Sequence, residues 1–194
     1  MHMFHDTLVS FAERRVISMK EIIVRLFHLR GLRRRLSLWL VNHIYAGDAN
    51  PRYFEKKRKL LNAAGLEIGE GTKVVGPIYP HGHLITGKNC WLGKNLMING
   101  NGTVVIGDNC DIAPEVVFQT GGHKIGSKER RAGEGVIFNQ SVGDGTWIGG
   151  RTTILNNTNI GKSCVIAGCA CVIKDVADNS VVGGVPAHVI KTLD

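Results

Sequence analysis

The sequence predicts a mainly β protein, a parallel β-helix of six-residue repeats that follows a basic, helical N-terminal extension. Three observations lead to this prediction. An aliphatic residue recurs every six positions, without a slip, from residue 142 to residue 172. Glycine makes up 25 of the 194 residues and aromatic residues only 6%, which suits a chain that turns often around a thin core. The formal charge of +8 lies in the first third, because residues 1–60 hold 13 Lys/Arg against 5 Asp/Glu while residues 61–194 hold 11 of each.

The extension, residues 1–64, begins with two predicted helices. The first ends at Gly31, a natural stop or kink, and the second covers the apolar run from Leu32 to Tyr45. The longest charge-free apolar stretch is about 12 residues, whereas a membrane-spanning helix needs about 20. We therefore expect a soluble, cytoplasmic protein.

A third helix is predicted over about residues 51–64. Asn50 can cap this helix, Pro51 suits its first position and Gly65 suits the position after its end. From Ile68 onward the period changes to six, so residues 65–194 form the predicted β-helix domain.

Each six-residue unit opens with a large residue that a short strand can bury, and its fifth position holds a small residue that points into a narrow interior. The opening residues are Val142, Ile148, Ile154, Ile160, Ile166 and Val172, preceded by Ile68, Thr86, Leu92, Ile98, Ile106, Ile112 and Phe118. Three of the five cysteines, Cys90, Cys110 and Cys164, occupy the small inward position. With Cys169 and Cys171 they make an odd number, which predicts reduced, buried thiols.

The repeat has a two-residue insertion between Ile98 and Ile106 and one long interruption, over about residues 124–141. His123 ends a repeat just before this excursion and is the only histidine between Leu84 and Ala187. A neutral imidazole is a natural base for removing a proton from a hydroxyl group, and a long loop is where a substrate pocket is commonly built. A lone histidine is nevertheless more often structural, so spacing alone leaves both a structural and a catalytic role open for His123.

The repeats and their surroundings resemble the hexapeptide-repeat acyltransferases, closest to the galactoside, maltose and capsular-sugar O-acetyltransferases. The resemblance covers about residues 65–193 and rests on four stretches: Ile106–Pro114, Thr120-Gly-Gly-His123, Val172–Val176 and Gly184–Ile190. It implies a left-handed β-helix, a homotrimer with active sites between subunits, and acetyl-CoA as the donor. Periodicity alone does not give the handedness.

The resemblance implies that His123 is the general base and that Asn99 and Asn101 are candidates for binding the acceptor. The sequence departs from the family pattern at two positions. Gly93 stands where relatives often have an asparagine, and Asn101 stands where they have an acidic residue. The segment Asn-Gly-Asn-Gly is equally typical of a turn.

For coenzyme A, the matching positions are Gly150, Gly168 and Ile173 in the late coils, then His188 and Lys191 near the end of the chain. Some relatives have arginines at the last two positions, which pair with phosphate groups. A lysine offers only a point charge in place of the forked pairing of arginine. The alternative is a C-terminal segment that folds back on the β-helix.

No metal is predicted. His81-Gly-His83 suggests a metal site, but the gamma-type carbonic anhydrases, which share this fold, need a companion histidine near His123, and residues 113–122 contain none.

Three interpretations of the extension stay open: a cap on the end of the β-helix, a contact between subunits, or peripheral contact of residues 30–45 with an anionic membrane at the inner face. Nucleic acid is not an expected partner, because the basic segment lacks interleaved aromatic residues and any known binding motif.

The leading functional prediction is an acetyl-CoA-dependent O-acetyltransferase acting on a carbohydrate hydroxyl, in a surface polysaccharide or its precursor. An amino-sugar N-acetyltransferase is a variant of the same chemistry. The alternative from another class is a non-catalytic trimeric β-helix that serves as a scaffold or binding module.

Overall fold

The computed structural model describes residues 19–47 and 50–194, with side chains from residue 29 onward. Helix α1 spans Met19–Trp39 and continues into a π-helical turn at Leu40–Ile44. The predicted stop at Gly31 and separate helix from Leu32 are therefore wrong. An interior glycine costs a helix only about 1 kcal/mol, and packing of the following turns against the β-helix outweighs that cost. Residues 1–18 of the predicted extension lie outside the described residues.

Helix α2 spans Pro51–Ala63, as the capping pattern predicts. The side chain of Asn50 accepts a hydrogen bond from the backbone N–H of Arg52 at 3.1 Å. Gly65 follows the helix with a φ of +87°, a conformation that glycine adopts without strain.

The rest of the chain is a solenoid of about six turns with three faces. The strands are β1 (Glu67–Ile68), β2 (Lys73–Val74), β3 (Ile78–Pro80), β4 (His83–Thr86), β5 (Trp91–Leu92), β6 (Leu96–Asn99), β7 (Thr103–Ile106), β8 (Asp111–Ile112), β9 (Val117–Gln119), β10 (Gly121–Ile125), β11 (Ala132–Ile137), β12 (Gln140–Val142), β13 (Trp147–Ile148), β14 (Thr153–Ile154), β15 (Asn159–Ile160), β16 (Val165–Ile166), β17 (Cys171–Val172), β18 (Ser180–Gly184) and β19 (Ala187–Thr192). The first face has the order β1-β4-β7-β12-β15, the second β19-β18-β16-β13-β8-β5-β2 and the third β17-β14-β9-β6-β3. Pairing is parallel within the faces except between β18 and β19.

The opening residue of each repeat fills the interior, as predicted. Ile148, Ile154 and Phe118 are at most 1% exposed, and the small residues Thr152 and Ala170 lie beside them. Side chains at the small position also link successive coils: the Cys90 thiol donates to the carbonyl of Gly107 at 3.0 Å.

The prediction of buried thiols is confirmed for Cys90, Cys110 and Cys164 and is wrong for the other two. Cys169 is exposed because it occupies a turn with a φ of 62°, which turns its side chain outward. Cys171 is partly exposed because strand alternation directs it to the outer side of β17.

The extension closes the N-terminal end of the solenoid, so the capping interpretation agrees with the structure. Val41 of the π-helical turn and Leu61 of α2 are fully buried in the same apolar cluster as the first coil. Polar anchors accompany them: the buried Lys57 donates to the carbonyl of Val75 at 2.9 Å, and Arg34 donates to the carbonyls of Ala64 and Pro80. Within the described residues, no helix has the length and apolar character needed to span a bilayer.

Candidate active site

The excursion is an antiparallel hairpin, β10 paired with β11, inserted where the third face turns into the first. The coil is left after Thr120 and rejoined at Gln140, so the predicted bounds of 124–141 are shifted toward the C terminus by a few residues. The reason lies in the base of the hairpin: Thr120 still donates to the carbonyl of Asn99, and its own carbonyl accepts from the N–H of Phe138 at 2.9 Å. His123 is consequently inside β10 rather than ahead of the excursion.

The imidazole of His123 has a defined partner across the hairpin. Its Nδ1 lies 2.9 Å from the backbone carbonyl oxygen of Gly133, and His123 pairs with Gly135 in the strand register. A carbonyl oxygen can only accept, so Nδ1 carries the proton in this contact. The neutral ring then has a free lone pair on Nε2, the form that a general base requires.

His123 lines a cavity of about 520 Å³ at the base of the hairpin. Asn101 and Gln119 bring side-chain amides to the same cavity, while Gly121 and Gly135 leave room beside the ring. Of the two predicted acceptor-binding residues, Asn101 lines the cavity and Asn99 does not. The backbone carbonyl of Asn99 instead accepts from Thr120 and supports the cavity from beneath.

The predicted coenzyme A residues divide into three places. Gly150 and Gly168 stack at the corner between the second and third faces, where a Cβ on Gly168 would stand 3.2 Å from the carbonyl oxygen of Gly150. Ile173 follows β17 at the next corner, across the third face. His188 and Lys191 lie on β19, where both are exposed.

A second cavity, about 380 Å³, adjoins the glycine corner. Trp91, Asp111 and Trp147 line it from the outer side of the second face, and Ala113 and Pro114 line it at the corner. A Cβ on Gly150 would stand 3.3 Å from the carbonyl oxygen of Pro114, so the glycine corner lies next to a residue that lines this cavity.

Trp147, Val165, Val181 and Lys191 are successive partners across the second face. Three strand spacings, about 14 Å, therefore separate Trp147 from Lys191 along a side-chain row that is open to solvent.

Sequence reasoning missed three groups at the site. The Gly133 carbonyl carries no residue-type signal, because any residue could supply it. Gln119 was hidden in an ordinary strand position. Gln140 had a visible signal, since it stands two residues before Val142, where earlier coils have the aliphatic residues Leu84 and Val104.

The structure gathers no group of three or more His, Cys, Asp or Glu side chains suited to a metal ion among the residues it describes. Of the two histidines considered for a metal, His83 has its Nε2 3.0 Å from a carboxylate oxygen of Glu67.

Comparison with known proteins extends these observations, although no protein-family model matches the sequence. The chain is 33% identical over 167 residues to the galactoside O-acetyltransferase of Escherichia coli K12, a match that covers 85% of this chain and 80% of that protein. It superposes with a TM-score of 0.71 and 30% identity on a galactoside acetyltransferase in complex with coenzyme A, covering 85% of this chain and 81% of the other. A hexapeptide-repeat-containing acetyltransferase of Vibrio cholerae, complexed with acetyl coenzyme A, has the same fold with a TM-score of 0.71 at 24% identity, over 88% of this chain and 90% of that one.

The solenoid of six-residue repeats and its histidine-bearing hairpin define the class of left-handed β-helix acyltransferases, as the sequence resemblance predicts. The chain belongs to the hexapeptide-repeat acetyltransferases, the family of the galactoside O-acetyltransferase, and it is an acyltransferase.

Proposed function

We propose that the protein transfers an acetyl group from acetyl-CoA to a hydroxyl group of a carbohydrate, with His123 as the general base. The observation that carries this proposal is the contact from His123 Nδ1 to the carbonyl of Gly133, at a cavity that also holds two side-chain amides. The galactoside O-acetyltransferase relative and the coenzyme A complex of a similar structure support the acceptor class and the donor.

His123 removes the proton of the acceptor hydroxyl through Nε2 as the hydroxyl oxygen attacks the thioester carbonyl carbon. The carbonyl of Gly133 holds the ring and stabilises the imidazolium that forms, because Nδ1–H remains its donor. The carbon–sulfur bond then breaks, and the imidazolium returns the proton to the departing thiolate. The products are the acetyl ester and coenzyme A, and His123 is again neutral.

Asn101 contacts the acceptor through its amide, which can both donate to and accept from sugar hydroxyls. Asn99 acts at the same site through its backbone, under Thr120. The acceptor in the cell is a surface polysaccharide or its precursor; the galactoside relative supports a sugar, and the polymer is our own inference.

The donor lies along the second face and its glycine corner. Gly150 and Gly168 allow the pantetheine arm close to the backbone, Trp147 offers an apolar wall, and His188 and Lys191 attract the phosphate groups from β19. Ile173 contacts the donor from the neighbouring corner. Lysine and histidine bind phosphate as single charges, without the forked pairing of arginine.

The first test replaces His123 with alanine. General base catalysis contributes about 10²–10⁴-fold, so His123→Ala should lose at least that much turnover on a simple galactoside while keeping the melting temperature of the wild type. His81→Ala is the matched control, because His81 is also exposed and lies outside the cavity. Near-normal turnover of His123→Ala would contradict the proposed base.

The acceptor atom is tested in the same assay. Ester formation on a neutral galactoside supports O-acetylation, whereas transfer only to an amino sugar would identify the N-acetyltransferase variant. Absence of transfer to either, with acetyl-CoA bound, would favour the non-catalytic scaffold.

We also infer a homotrimer, with each active site completed by a neighbouring subunit. His123 is exposed in the single chain, and the hairpin that carries it presents two bare aliphatic side chains, Ile125 at 89% and Ile137 at 61% exposure. Such side chains on a projecting arm are typical of a subunit contact. Light scattering should give three times the chain mass, and a monomer that retains full activity would overturn this inference.

The cytoplasm is the expected location, and we infer a peripheral contact of residues 30–45 with an anionic membrane. Leu29, Leu32 and Leu36 are between 55% and 62% exposed, and helical geometry puts Arg33 and Arg35 on opposite sides of this apolar stripe. Vesicles of phosphatidylcholine with phosphatidylglycerol should carry the protein upward in a flotation gradient at low salt, and vesicles of phosphatidylcholine alone should not. The absence of flotation, or flotation that does not depend on the anionic lipid or on salt, would refute the contact.

A further inference from the structure

Gln140 is the first polar residue in an interior column that the two preceding coils fill with the aliphatic Leu84 and Val104, and the coil after it has the smaller Thr158 there. It is 2% exposed and pairs with Val104 of the preceding coil, which itself pairs with Leu84 of the coil before. A buried amide costs free energy unless its hydrogen bonds are made, so an aliphatic residue would be the simpler choice here. The exception falls on the coil that carries the hairpin.

The amide nitrogen of Gln140 binds three backbone carbonyl oxygens. Its Nε2 donates to Gln119 at 3.2 Å, to Ile154 at 3.1 Å and to Asn156 at 2.9 Å, so its two hydrogens serve three acceptors. Its Oε1 is the one buried side-chain oxygen or nitrogen without a partner among the residues that the structure describes. Only the N–H donors of the Gln140 side chain make hydrogen bonds, and burying the unpaired Oε1 costs free energy.

The three carbonyls lie on both sides of the gap that the hairpin makes in the solenoid. Gln119 is the last residue of β9 before the chain leaves, and Gln140 is the first residue of β12 where it returns. Ile154 and Asn156 belong to the next coil at the same corner. The amide nitrogen of Gln140 thus connects three places: the end of β9, the start of β12 and the following coil.

The geometry points to Gln140 as a positioning residue for His123, an inference that rests on the proposed function. Gln140 does not contact the imidazole. His123 is on β10 and its partner Gly133 is on β11, so the distance of 2.9 Å between them depends on the relation of the two strands at their common base. Holding Gln119 and the return strand together fixes that relation and aims Nε2 into the cavity.

The test compares Gln140→Met with Thr158→Val. Methionine keeps the length of the side chain and removes the N–H donors. Thr158 is buried one coil further along the same interior column, and it donates to the carbonyl of Leu155, which is not one of the three carbonyls that Gln140 binds. Both variants lose one buried hydrogen-bonding group, so we expect similar losses of stability. Only Gln140→Met removes a contact with the base of the hairpin.

Two readouts are needed. Amide hydrogen exchange of residues 121–137 should become at least about tenfold faster in Gln140→Met and stay unchanged in Thr158→Val. This readout does not depend on which reaction the enzyme catalyses. Turnover on a simple galactoside should fall about tenfold or more in Gln140→Met, because small misplacements of a catalytic group are costly, while the Kd of acetyl-CoA stays the same. Thr158→Val should keep its kcat.

The outcomes separate this inference from the proposed function. Unchanged exchange in Gln140→Met, or an equal loss of kcat in both variants, would overturn the role of Gln140. Faster exchange together with an inactive wild type would support that role and defeat the proposed reaction. If Gln140→Met does not fold, Gln140→Asn keeps an amide that is one methylene shorter; it should show the same two changes in smaller measure, and wild-type exchange and kcat in that variant would overturn the inference.

Discussion

The glycine at the second position of several repeats is required by space rather than by backbone conformation. A Cβ on Gly107 would overlap Oδ1 of Asp144, the same oxygen that accepts the N–H of Asp108 at 2.9 Å. Gly87 and Gly161 have the same relation to the aspartate of the coil that follows each of them. The carboxylate of one coil therefore fills the place where the preceding coil would have a side chain.

Gly107→Ala should lower the free energy of unfolding by roughly 1–3 kcal/mol, because either the carboxylate or the coil must move. Urea unfolding measures the change. Gly31→Ala is the control: beyond the backbone of its own helix, no atom lies within 4 Å of the place that a Cβ would take, and alanine in a helix interior should raise stability by about 0.5–1 kcal/mol. Equal effects of the two substitutions would contradict the spatial argument.

At the residue scale, the sequence singled out the proposed base but not the groups around it. His123 stood out because it is isolated among repeats and next to their interruption. Its partner is the backbone of Gly133, ten residues away across a hairpin, and a backbone group has no residue identity to read. Gln119 and Gln140 act through contacts between coils, which become visible only when the coils are stacked.

Among the elements, the turns between the first and second faces are joined by a line of carboxylates. Oδ1 of Asp108 accepts from the N–H of Lys88 at 2.7 Å, Oδ1 of Asp144 from Asp108, and Oδ1 of Asp178 from the N–H of Lys162. The N–H of Asp108, and then the side chain of Lys162, hold the pKa of Asp144 below its usual value of 3.8.

The lowered pKa of Asp144 makes stability depend on pH. A carboxyl whose pKa is lower in the folded state stabilises fully above its unfolded pKa, and the contribution is lost as pH falls through the folded pKa. The melting temperature should therefore decline as the pH falls below about 4. Asp144→Asn keeps an acceptor oxygen and should flatten part of that decline, whereas Asp111→Asn, on the outer side of β8, should not. Identical acid profiles for wild type and Asp144→Asn would contradict this account.

The bounds of the helices show where tertiary packing overrides a local sequence pattern. Asn50, Pro51 and Gly65 predicted α2 because capping is a local matter. Gly31 suggested a break, yet α1 runs through it, since the turn that follows is held by Arg34 on the carbonyls of Ala64 and Pro80. The hairpin bounds were shifted for a similar reason: the period shows that the repeat fails, but not where two strands pair.

For the whole molecule, the repeat predicted nearly everything because each coil contacts chiefly its neighbours. Thirteen opening residues define one interior, and the structure buries them as expected. Handedness required the family resemblance, since a period of six residues is compatible with either hand. The cap is one of three interpretations that the sequence allows, because the sequence of the extension does not say which of its faces meets the first coil.

Donor binding is a property of the whole solenoid, because the proposed donor residues are spread from the glycine corner to β19. A ligand at about 100 times its Kd adds about 2.7 kcal/mol to the folded state, so saturating acetyl-CoA should visibly raise the melting temperature of the wild type. His188→Ala combined with Lys191→Ala should reduce the rise at a fixed, limiting concentration, because the phosphate groups lose two N–H donors on β19, of which Lys191 lies about 14 Å from Trp147. Lys128→Ala, at the exposed tip of the hairpin, is the control for loss of charge alone and should keep the full rise. A full rise in the double variant would remove His188 and Lys191 from the donor site, and no rise in the wild type at millimolar acetyl-CoA would favour the scaffold over the enzyme.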